Sequence, residues 1–224
     1  MNKIIVKNLS HDYQDGMKLK KVLKDVSCSF ESGKFYAILG ESGSGKTTLL
    51  SLISGLDTIK DGDILYNDKS IKDIGYNTYR NKYVNIIFQS YNLIPYMTAI
   101  ENVEVAMDIA GIKLKKEEKR KKVLDILNSL GIDNDTANRT VLKLSGGEQQ
   151  RVAIARCLST DIPFVMADEP TGNLDEVTEK KIIEIFKSLA KQGKGVVVVT
   201  HSKEVAKNAD VIYSIKGGDV KLGK

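Results

Sequence analysis

The sequence is poor in the residues that cross-link a fold or hold a structural metal. Its two cysteines, Cys28 and Cys157, exclude a disulfide scaffold and a cysteine-based zinc finger. Its two histidines, His11 and His201, offer little material for a metal cage. Three prolines in 224 residues give little sign of a flexible hinge between separate domains. With 42% hydrophobic and 28% charged residues, the chain is instead typical of a globular protein with its own core.

Long hydrophobic runs are also missing. The longest apolar stretches, Phe35–Leu39 and Val196–Val199, fall far short of the roughly 18–20 residues that span a bilayer. The first residues, Met1–Ile4, contain no apolar signal core. We therefore expect the chain to start and stay in a reducing cytosol unless a partner carries it to a membrane.

Charge of one sign is only slightly in excess. There are 34 basic and 29 acidic residues, which leaves a net charge of +5 that we interpret as mostly solvated surface. The lysine-rich run Lys113–Lys122 is interpreted as a solvated helix face rather than a nucleic-acid patch. No nucleic-acid partner is expected.

The first half of the sequence predicts short strands. Turn signals at Ser32-Gly33 and Asp61-Gly62 separate them, and their alternation favours a half-exposed antiparallel sheet. The predicted strands are Ile4–Val6, Val22–Phe30, Phe35–Leu39, Asp63–Leu65 and Val84–Phe88.

The middle of the sequence predicts helices. Thr98 with Glu101 three residues later forms a capping-box pattern. A second helix is predicted over Glu117–Leu130, with Gly131 as its stop.

Towards the end, short apolar runs alternate with helical periodicity. Phe164–Ala167 and Val196–Val199 flank a predicted helix over Glu176–Gln192. Such an alternation predicts a parallel sheet that is covered on both faces, and hence an α/β protein.

One loop carries a phosphate-binding pattern. It follows a predicted strand, opens a predicted helix and fits GxxxxGK[ST]. Its backbone N–H groups and the helix N-terminus would cradle phosphates, the lysine would reach the β- and γ-phosphates, and the threonine would offer its hydroxyl to Mg²⁺. The predicted ATP ligands here are Gly40, Glu41, Ser42, Gly43, Ser44, Gly45, Lys46, Thr47 and Thr48.

Two acids end the strand Phe164–Ala167. Asp168 would lie at the carboxyl edge of the sheet and hold Mg²⁺ directly or through water. Glu169 cannot share that role, because side chains alternate along a strand, so it is the candidate to polarise the attacking water.

A second anion-binding helix start is predicted at Leu144–Gln149. Ser145 is the candidate N-cap of a helix that extends to Leu158, and the adjacent Gly146 and Gly147 expose backbone donors.

With these motifs, the sequence resembles the nucleotide-binding subunits of ABC transporters over essentially its whole length. Gly40–Thr47 resembles Walker A, Leu144–Gln149 the family signature, and Asp168 with Glu169 the Walker B end and catalytic glutamate. The other matching positions are the Q-loop residue Gln89, the D-loop Gly172-Asn173-Leu174-Asp175, the switch residue His201 and the adenine-stacking Tyr13.

Within that family, the sequence around the motifs is most similar to that of the MacB, LolD, FtsE and BceA group. Phe88–Leu93, Thr98–Val103 and Ala167–Asp175 carry that similarity. The sequence departs from it at Glu148, where glutamine is commoner, and at Gly172, where serine is.

The resemblance implies a P-loop ATPase fold with a mixed central sheet, an antiparallel β part and a helical subdomain. It implies a catalytic core over 1–88 and 160–224 and a helical subdomain over 89–159. ATP and Mg²⁺ are the implied cofactors, with Mg²⁺ near Thr47, Gln89 and Asp168. Glu169, His201 and Lys46 are the implied catalytic residues.

It also implies a head-to-tail homodimer with ATP at its interface. The nucleotide of one subunit would be contacted by residues of the other, namely Ser145, Gly146, Gly147, Glu148 and Asp175. An integral membrane permease would hold the dimer at the inner face of the cell membrane.

Two functions are compatible with this resemblance, and a third class is not. The first is an ATPase that drives export of an antimicrobial peptide, antibiotic or lipid-like substrate. The second is an FtsE-like subunit that signals through a membrane partner without moving cargo. DNA-repair and translation relatives fit poorly, because no long coiled coil separates Lys46 from Leu144 and the chain has one cassette.

Overall fold

The computed structural model describes residues 1–15, 18–172 and 174–223. Its strands are, in chain order, β1 (Lys3–Asp15), β2 (Lys18–Glu31), β3 (Phe35–Leu39), β4 (Asp61–Tyr66), β5 (Lys69–Ser70), β6 (Val84–Ile87), β7 (Phe164–Asp168), β8 (Gly195–Thr200), β9 (Val211–Lys216) and β10 (Asp219–Leu222). Its α-helices are α1 (Lys46–Ile53), α2 (Ile71–Ile74), α3 (Tyr76–Lys82), α4 (Ala99–Ile109), α5 (Lys116–Ser129), α6 (Asn134–Ala137), α7 (Gly146–Leu158), α8 (Glu176–Lys191) and α9 (Lys203–Lys207).

The smaller sheet is antiparallel, as predicted, with the strand order β2-β1-β4-β5. Its strand β1 is far longer than the predicted Ile4–Val6. Its pairing with β2 shifts register between Val6 and Leu9 and again on both sides of His11. Each shift breaks the period-two alternation, so the sequence pattern hides the second half of the strand.

The predicted turn at Asp61-Gly62 was wrong, since both residues lie in β4. Gly62 has φ 83°, and a Cβ added there would lie 2.5 Å from the backbone oxygen of Asn8. Its partner strand β1 shifts register between Lys7 and Ser10, opposite this glycine. The glycine therefore permits a close approach at a bulge and does not mark a turn.

The larger sheet has the order β10-β9-β3-β8-β7-β6. Strands β9, β3, β8, β7 and β6 run parallel, and β10 pairs antiparallel with β9. The predicted α/β class with a mixed central sheet and an antiparallel part is confirmed. Because β3, β7 and β8 are neighbours and parallel, the loops after all three emerge at one edge.

The two faces of this sheet are buried against different cores. Along β7, Val165 and Ala167 pack on the side of helices α4, α5, α7 and α8, whereas Phe164 and Met166 pack on the side of α1 and the antiparallel sheet. Along β8, residues 196 and 198 join the first core and residues 197 and 199 the second. Side chains alternate along a strand, so a sheet buried on both faces needs a continuous apolar run.

Helices α4, α5 and α7 pack on one another beside the sheet. The predicted capping box is present at Thr98, whose hydroxyl accepts a bond from the backbone N–H of Glu101. Among residues 1–15, 18–172 and 174–223, no helix combines the length and the apolar character that crossing a membrane requires.

Candidate functional site

The predicted phosphate loop lies between β3 and α1, at the carboxyl edge of the larger sheet. Gly45 is the N-cap of α1 with φ 106°. A side chain at Gly45 would be strained at that φ and would place its Cβ 3.0 Å from the backbone oxygen of Val22. The glycine lets the chain turn abruptly into α1, whose first N–H groups have no acceptor within the helix.

Lys46 is the first residue of α1 and is 7% exposed. Its Nζ donates to the backbone oxygens of Gly40 at 2.8 Å and Glu41 at 3.1 Å. The same Nζ lies 3.7 Å from Oε1 of Glu169. A buried ammonium group is thus held over the loop and beside the carboxylate that ends β7.

Thr47 and Asp168 approach each other from α1 and β7. The hydroxyl Oγ1 of Thr47 donates to Oδ1 of Asp168 at 3.3 Å. Burial raises the pKa of the Asp168 carboxyl, a rise that the Thr47 bond opposes. A half-buried carboxylate next to a hydroxyl suits Mg²⁺, which prefers oxygen ligands and keeps several waters. Within the described ranges no group of three or more His, Cys, Asp or Glu side chains could hold a metal ion.

Glu169 and His201 form a pair at the same edge. Oε2 of Glu169 lies 3.0 Å from Nδ1 of His201 and accepts the backbone N–H of His201 at 3.3 Å. Glu169 has φ 44°, a left-handed conformation that costs energy in a non-glycine residue. Its backbone N–H donates to the oxygen of Val199 at 2.9 Å, which anchors it to β8. The strained residue is therefore held firmly, with its carboxylate between a lysine and a histidine.

These groups surround a cavity of about 710 Å³. Eight of the eleven ATP ligands predicted within one chain line it, together with two residues that the sequence interpretation did not include. The lining residues are Tyr13, Lys20, Val22, Ser42, Gly43, Gly45, Lys46, Thr47, Thr48, Gln89, Glu169 and His201.

Three predicted ligands of the phosphate loop lie on its other side. Gly40, Glu41 and Ser44 border an adjacent cavity of about 660 Å³, together with His201. Among the described residues Ser44 Oγ has no hydrogen-bond partner although it is buried. A buried, unpaired hydroxyl in the loop is compatible with a phosphate oxygen as its partner.

Tyr13 lines the cavity from strand β1 of the smaller sheet. Its ring is 43% exposed and meets the buried His11 ring edge-on, with 4.7 Å between centroids. Lys20 pairs with Tyr13 across the β1–β2 hairpin and lines the cavity beside it. Only that strand register could have identified Lys20 as a site residue.

Gln89 lines the cavity just after β6, in a segment tied to the helices. Tyr91 and Asn92, which follow one residue further on, have φ 61° and 49°. The guanidinium of Arg156 donates to their backbone oxygens, at 3.0 Å to Tyr91 and 2.6 Å to Asn92. Arg156, on α7, was not predicted from the sequence, and nothing in its local pattern marks it. It links the Gln89 segment to the helix that begins at the signature.

The signature residues form a second, separate feature. Ser145 caps α7, as predicted, and Oε2 of Glu148 accepts from its backbone N at 2.7 Å and its hydroxyl at 2.8 Å. These bonds lower the pKa of Glu148. Asp175 is the N-cap of α8, and its Oδ1 accepts a hydrogen bond from the backbone N–H of Thr178 at 3.0 Å.

The structure does not bring these residues into the cavity. In the part of the chain that the structure describes, the cavity lining includes none of the five ligands predicted to come from a second copy, which are Ser145, Gly146, Gly147, Glu148 and Asp175. Asn173 of the predicted D-loop lies outside the described residues. The chain thus presents a phosphate-loop cavity and, outside its lining, the capped starts of α7 and α8.

Comparisons with known proteins agree with this geometry. The family described as ABC transporter matches residues 23–172. The ABC transporter ATP-binding protein YclH of Bacillus subtilis is 49% identical over 90% of this chain and 88% of its own length. The macrolide export ATP-binding/permease protein MacB of Mannheimia succiniciproducens is 37% identical over 98% of this chain, which covers 34% of that protein.

Solved structures show the same architecture. The dimeric structure of MJ0796, an ABC transporter cassette of Methanocaldococcus jannaschii, superposes with a TM-score of 0.92 at 38% identity. The superposition covers 99% of this chain and 98% of that one. A second dimeric structure of MJ0796, in a post-hydrolysis state bound to ADP and Pi, also superposes with a TM-score of 0.92.

Proposed function

This chain belongs to the ABC transporter family as an ATP-binding ATPase subunit, and we propose that two copies pair head to tail on ATP to power a separate membrane permease. One observation carries the pairing. The phosphate loop, Glu169 and His201 line one cavity, and Asp168 binds Thr47 at its wall, whereas the signature helix start lies outside it. A second copy can supply the missing wall, and the dimeric MJ0796 cassette supports such an assembly.

Within one chain, we assign the phosphate contacts to the loop and to Lys46. Lys46 Nζ has two backbone oxygens and one carboxylate near it, and it would turn to the β- and γ-phosphates of ATP. Thr47, Asp168 and Gln89 would hold Mg²⁺, which neutralises charge on the phosphates when bound. Tyr13 would stack on the adenine.

Glu169 and His201 are assigned to the attacking water. The carboxylate of Glu169 accepts a proton from water in the ionised state, and His201 fixes its orientation from 3.0 Å. The left-handed backbone of Glu169 and its bond to Val199 keep this carboxylate in place.

The residues contributed by the second copy would be Ser145, Gly146, Gly147, Glu148 and Asp175. The start of α7 offers free backbone N–H groups and the positive end of a helix dipole, which suit the γ-phosphate. The side chains of Ser145 and Glu148 bind each other and so hold this helix start rigid.

Complementation between two inactive variants tests the shared site. Lys46→Ala removes the phosphate-loop cation but keeps the signature. Gly147→Asp keeps the loop but places a carboxylate at the start of α7, where it would repel phosphate. A Cβ at Gly147 meets no atom closer than 3.5 Å, and an acid in a first helical turn is favourable, so this variant folds.

Each variant alone should be inactive, and an equal mixture should recover activity. Random pairing makes about half of the dimers mixed, each with one complete site, so about a quarter of the wild-type rate returns. The control is Gly147→Ala, which adds no charge and should behave like the wild type. A mixture as inactive as its components would refute the site built from two chains.

We assign the permease contact to a groove between the sheet and the helices. The groove has a volume of about 370 Å³, and its lining includes Leu56, Phe88, Ile109 and Arg156. Leu56 and Ile109 are 45% and 69% exposed, so this groove offers apolar surface to a partner. Arg156 binds the Gln89 segment from the same groove, which couples the groove to the nucleotide cavity.

In this proposal the chain is peripheral on the inner face of the membrane and drives export of a peptide, antibiotic or lipid-like substrate. The named activity of the similar MacB proteins, macrolide export, supports that class. The catalytic core would comprise 1–88 and 160–224, and the helical subdomain 89–159. Affinity purification of tagged Glu169→Gln with ATP and Mg²⁺ from solubilised membranes should recover a permease. Recovery of ribosomal or DNA-associated proteins alone would contradict the membrane-coupled function.

A further inference from the structure

The positive charge of this protein is concentrated in one short segment. Residues 113–122 contain seven Lys or Arg and two Glu, so their net charge of +5 equals that of the whole chain. We propose that this segment, called here the basic surface, binds an anionic phospholipid membrane. The proposal rests on the proposed function, since a membrane-coupled ATPase works next to a lipid surface.

The basic surface is open to solvent and largely unpaired. Six of its seven cations are exposed, at positions 113, 115, 116, 120, 121 and 122. Lys119 is the exception, and it forms an ion pair with Asp108 of α4. Among the described residues, none of the other six has a carboxylate within ion-pair distance.

The position of these cations in the fold is electrostatically unfavourable. Lys115 is the N-cap of α5 and the following cations lie in its first two turns. The N-terminus of a helix carries partial positive charge, which repels cations and attracts anions. Neighbouring like charges add to this repulsion. The two glutamates of the first turn, Glu117 and Glu118, offset only part of it, because the segment contains seven cations. An anionic surface would relieve both effects at once.

Exposed apolar residues in and beside this segment favour a membrane over a nucleic acid. Ile109 ends α4 and Leu114 lies in the α4–α5 connection, and they are 69% and 38% exposed. Exposed aliphatic side chains beside lysines suit the boundary between headgroups and acyl chains. Residues 109–122 contain no aromatic side chain on which a base could stack, and six of their seven cations are lysines.

The basic surface is also continuous with the groove assigned to the permease. Ile109 and Ala110 line that groove and lead directly into the segment. A permease seated there would hold the lysines near the membrane from which it emerges. Lipid binding would then orient the helical part of each subunit relative to the bilayer.

Sedimentation with vesicles tests the proposal on the purified chain without a permease. The vesicles are phosphatidylcholine alone or an equimolar mixture with phosphatidylglycerol. The wild type should bind only the anionic vesicles, and less at high salt, because salt screens the attraction. The test variant is Lys113→Glu/Lys116→Glu/Lys121→Glu. Each cation near such a surface contributes about fivefold in affinity, so this variant should bind at least about 100-fold more weakly.

A matched control separates local from overall charge. Lys60→Glu/Lys69→Glu/Lys221→Glu changes the net charge equally at exposed positions outside the basic surface. Its affinity for the anionic vesicles should fall by about fivefold or less. Both triple variants should keep the wild-type ATPase rate. Equal loss in the two variants, or no vesicle binding by the wild type, would overturn the proposal and leave the ATPase assignment intact. Tighter binding to an oligonucleotide than to anionic vesicles would also overturn it, in favour of a nucleic-acid surface.

Discussion

The contact between Glu169 and His201 makes the most discriminating prediction about catalysis. Glu169→Gln keeps the shape of the side chain but removes its charge, which lies 3.7 Å from Lys46 and 3.0 Å from His201. Loss of a general base costs about 10²–10⁴ in rate. That corresponds to about 3–5 kcal/mol of transition-state stabilisation.

His201 contacts the water-activating carboxylate, so its effect should depend on Glu169. His201→Ala should lower the rate alone, but in a Glu169→Gln background it should cost less than about tenfold. The assay is single-turnover release of phosphate at saturating ATP, with ATP binding measured separately to show that affinity is retained.

The control is Glu176→Gln, which removes an exposed glutamate of the same region and should leave the rate unchanged. The reasoning fails if the losses from the two single variants multiply in the double variant, because independent groups would then be at work. It fails equally if Glu169→Gln hydrolyses ATP at the wild-type rate.

Three further predictions concern Lys46, Asp168 and the formation of the dimer. In a phosphate-release assay, Lys46→Ala should abolish ATP turnover at every ATP concentration. The control is Lys34→Ala, because Lys34 lies outside the cavity and its side chain is partly exposed, and this variant should keep its activity. Asp168→Asn removes a half-buried carboxylate, so it should raise the free energy of unfolding at neutral pH by up to about 1 kcal/mol. That corresponds to a rise in melting temperature of roughly 2–4 °C. The folded state raises the pKa of Asp168, so its ionised form opposes folding. The difference in melting temperature should therefore shrink as the pH falls through that pKa, and a difference that grows would contradict the assignment. The specific ATPase rate should rise with protein concentration until dimers are saturated, and a constant rate down to dilute protein would require a preformed tight dimer.

Sequence predicted the buried parts of this fold better than its edges. The runs Phe164–Ala167 and Val196–Val199 were assigned well, because a strand buried on both faces must be apolar throughout. Strand β1 was mostly missed, because three register shifts break its alternation. Gly62 was misread as a turn, since a glycine at a bulge and a glycine at a turn look alike in sequence.

The residues of the candidate site also differ in how well the sequence predicted them. Lys46, Thr47, Asp168 and Glu169 were accessible to sequence reasoning because each lies at or after the end of a strand within a local pattern. Lys20 was not, because it reaches the cavity only through the pairing of β1 with β2. Arg156 was not, because it lies on a helix far along the chain and acts through the segment that follows Gln89.

The two-faced larger sheet has an evolutionary consequence. Val196 and Val198 pack under the helices that border the groove, whereas Val197 and Val199 pack towards α1. A substitution at one position therefore perturbs one core and spares the other, although the residues are neighbours in the gene. A lineage can remodel the helical face for a new membrane partner by changing alternate codons, while the architecture behind the phosphate loop persists.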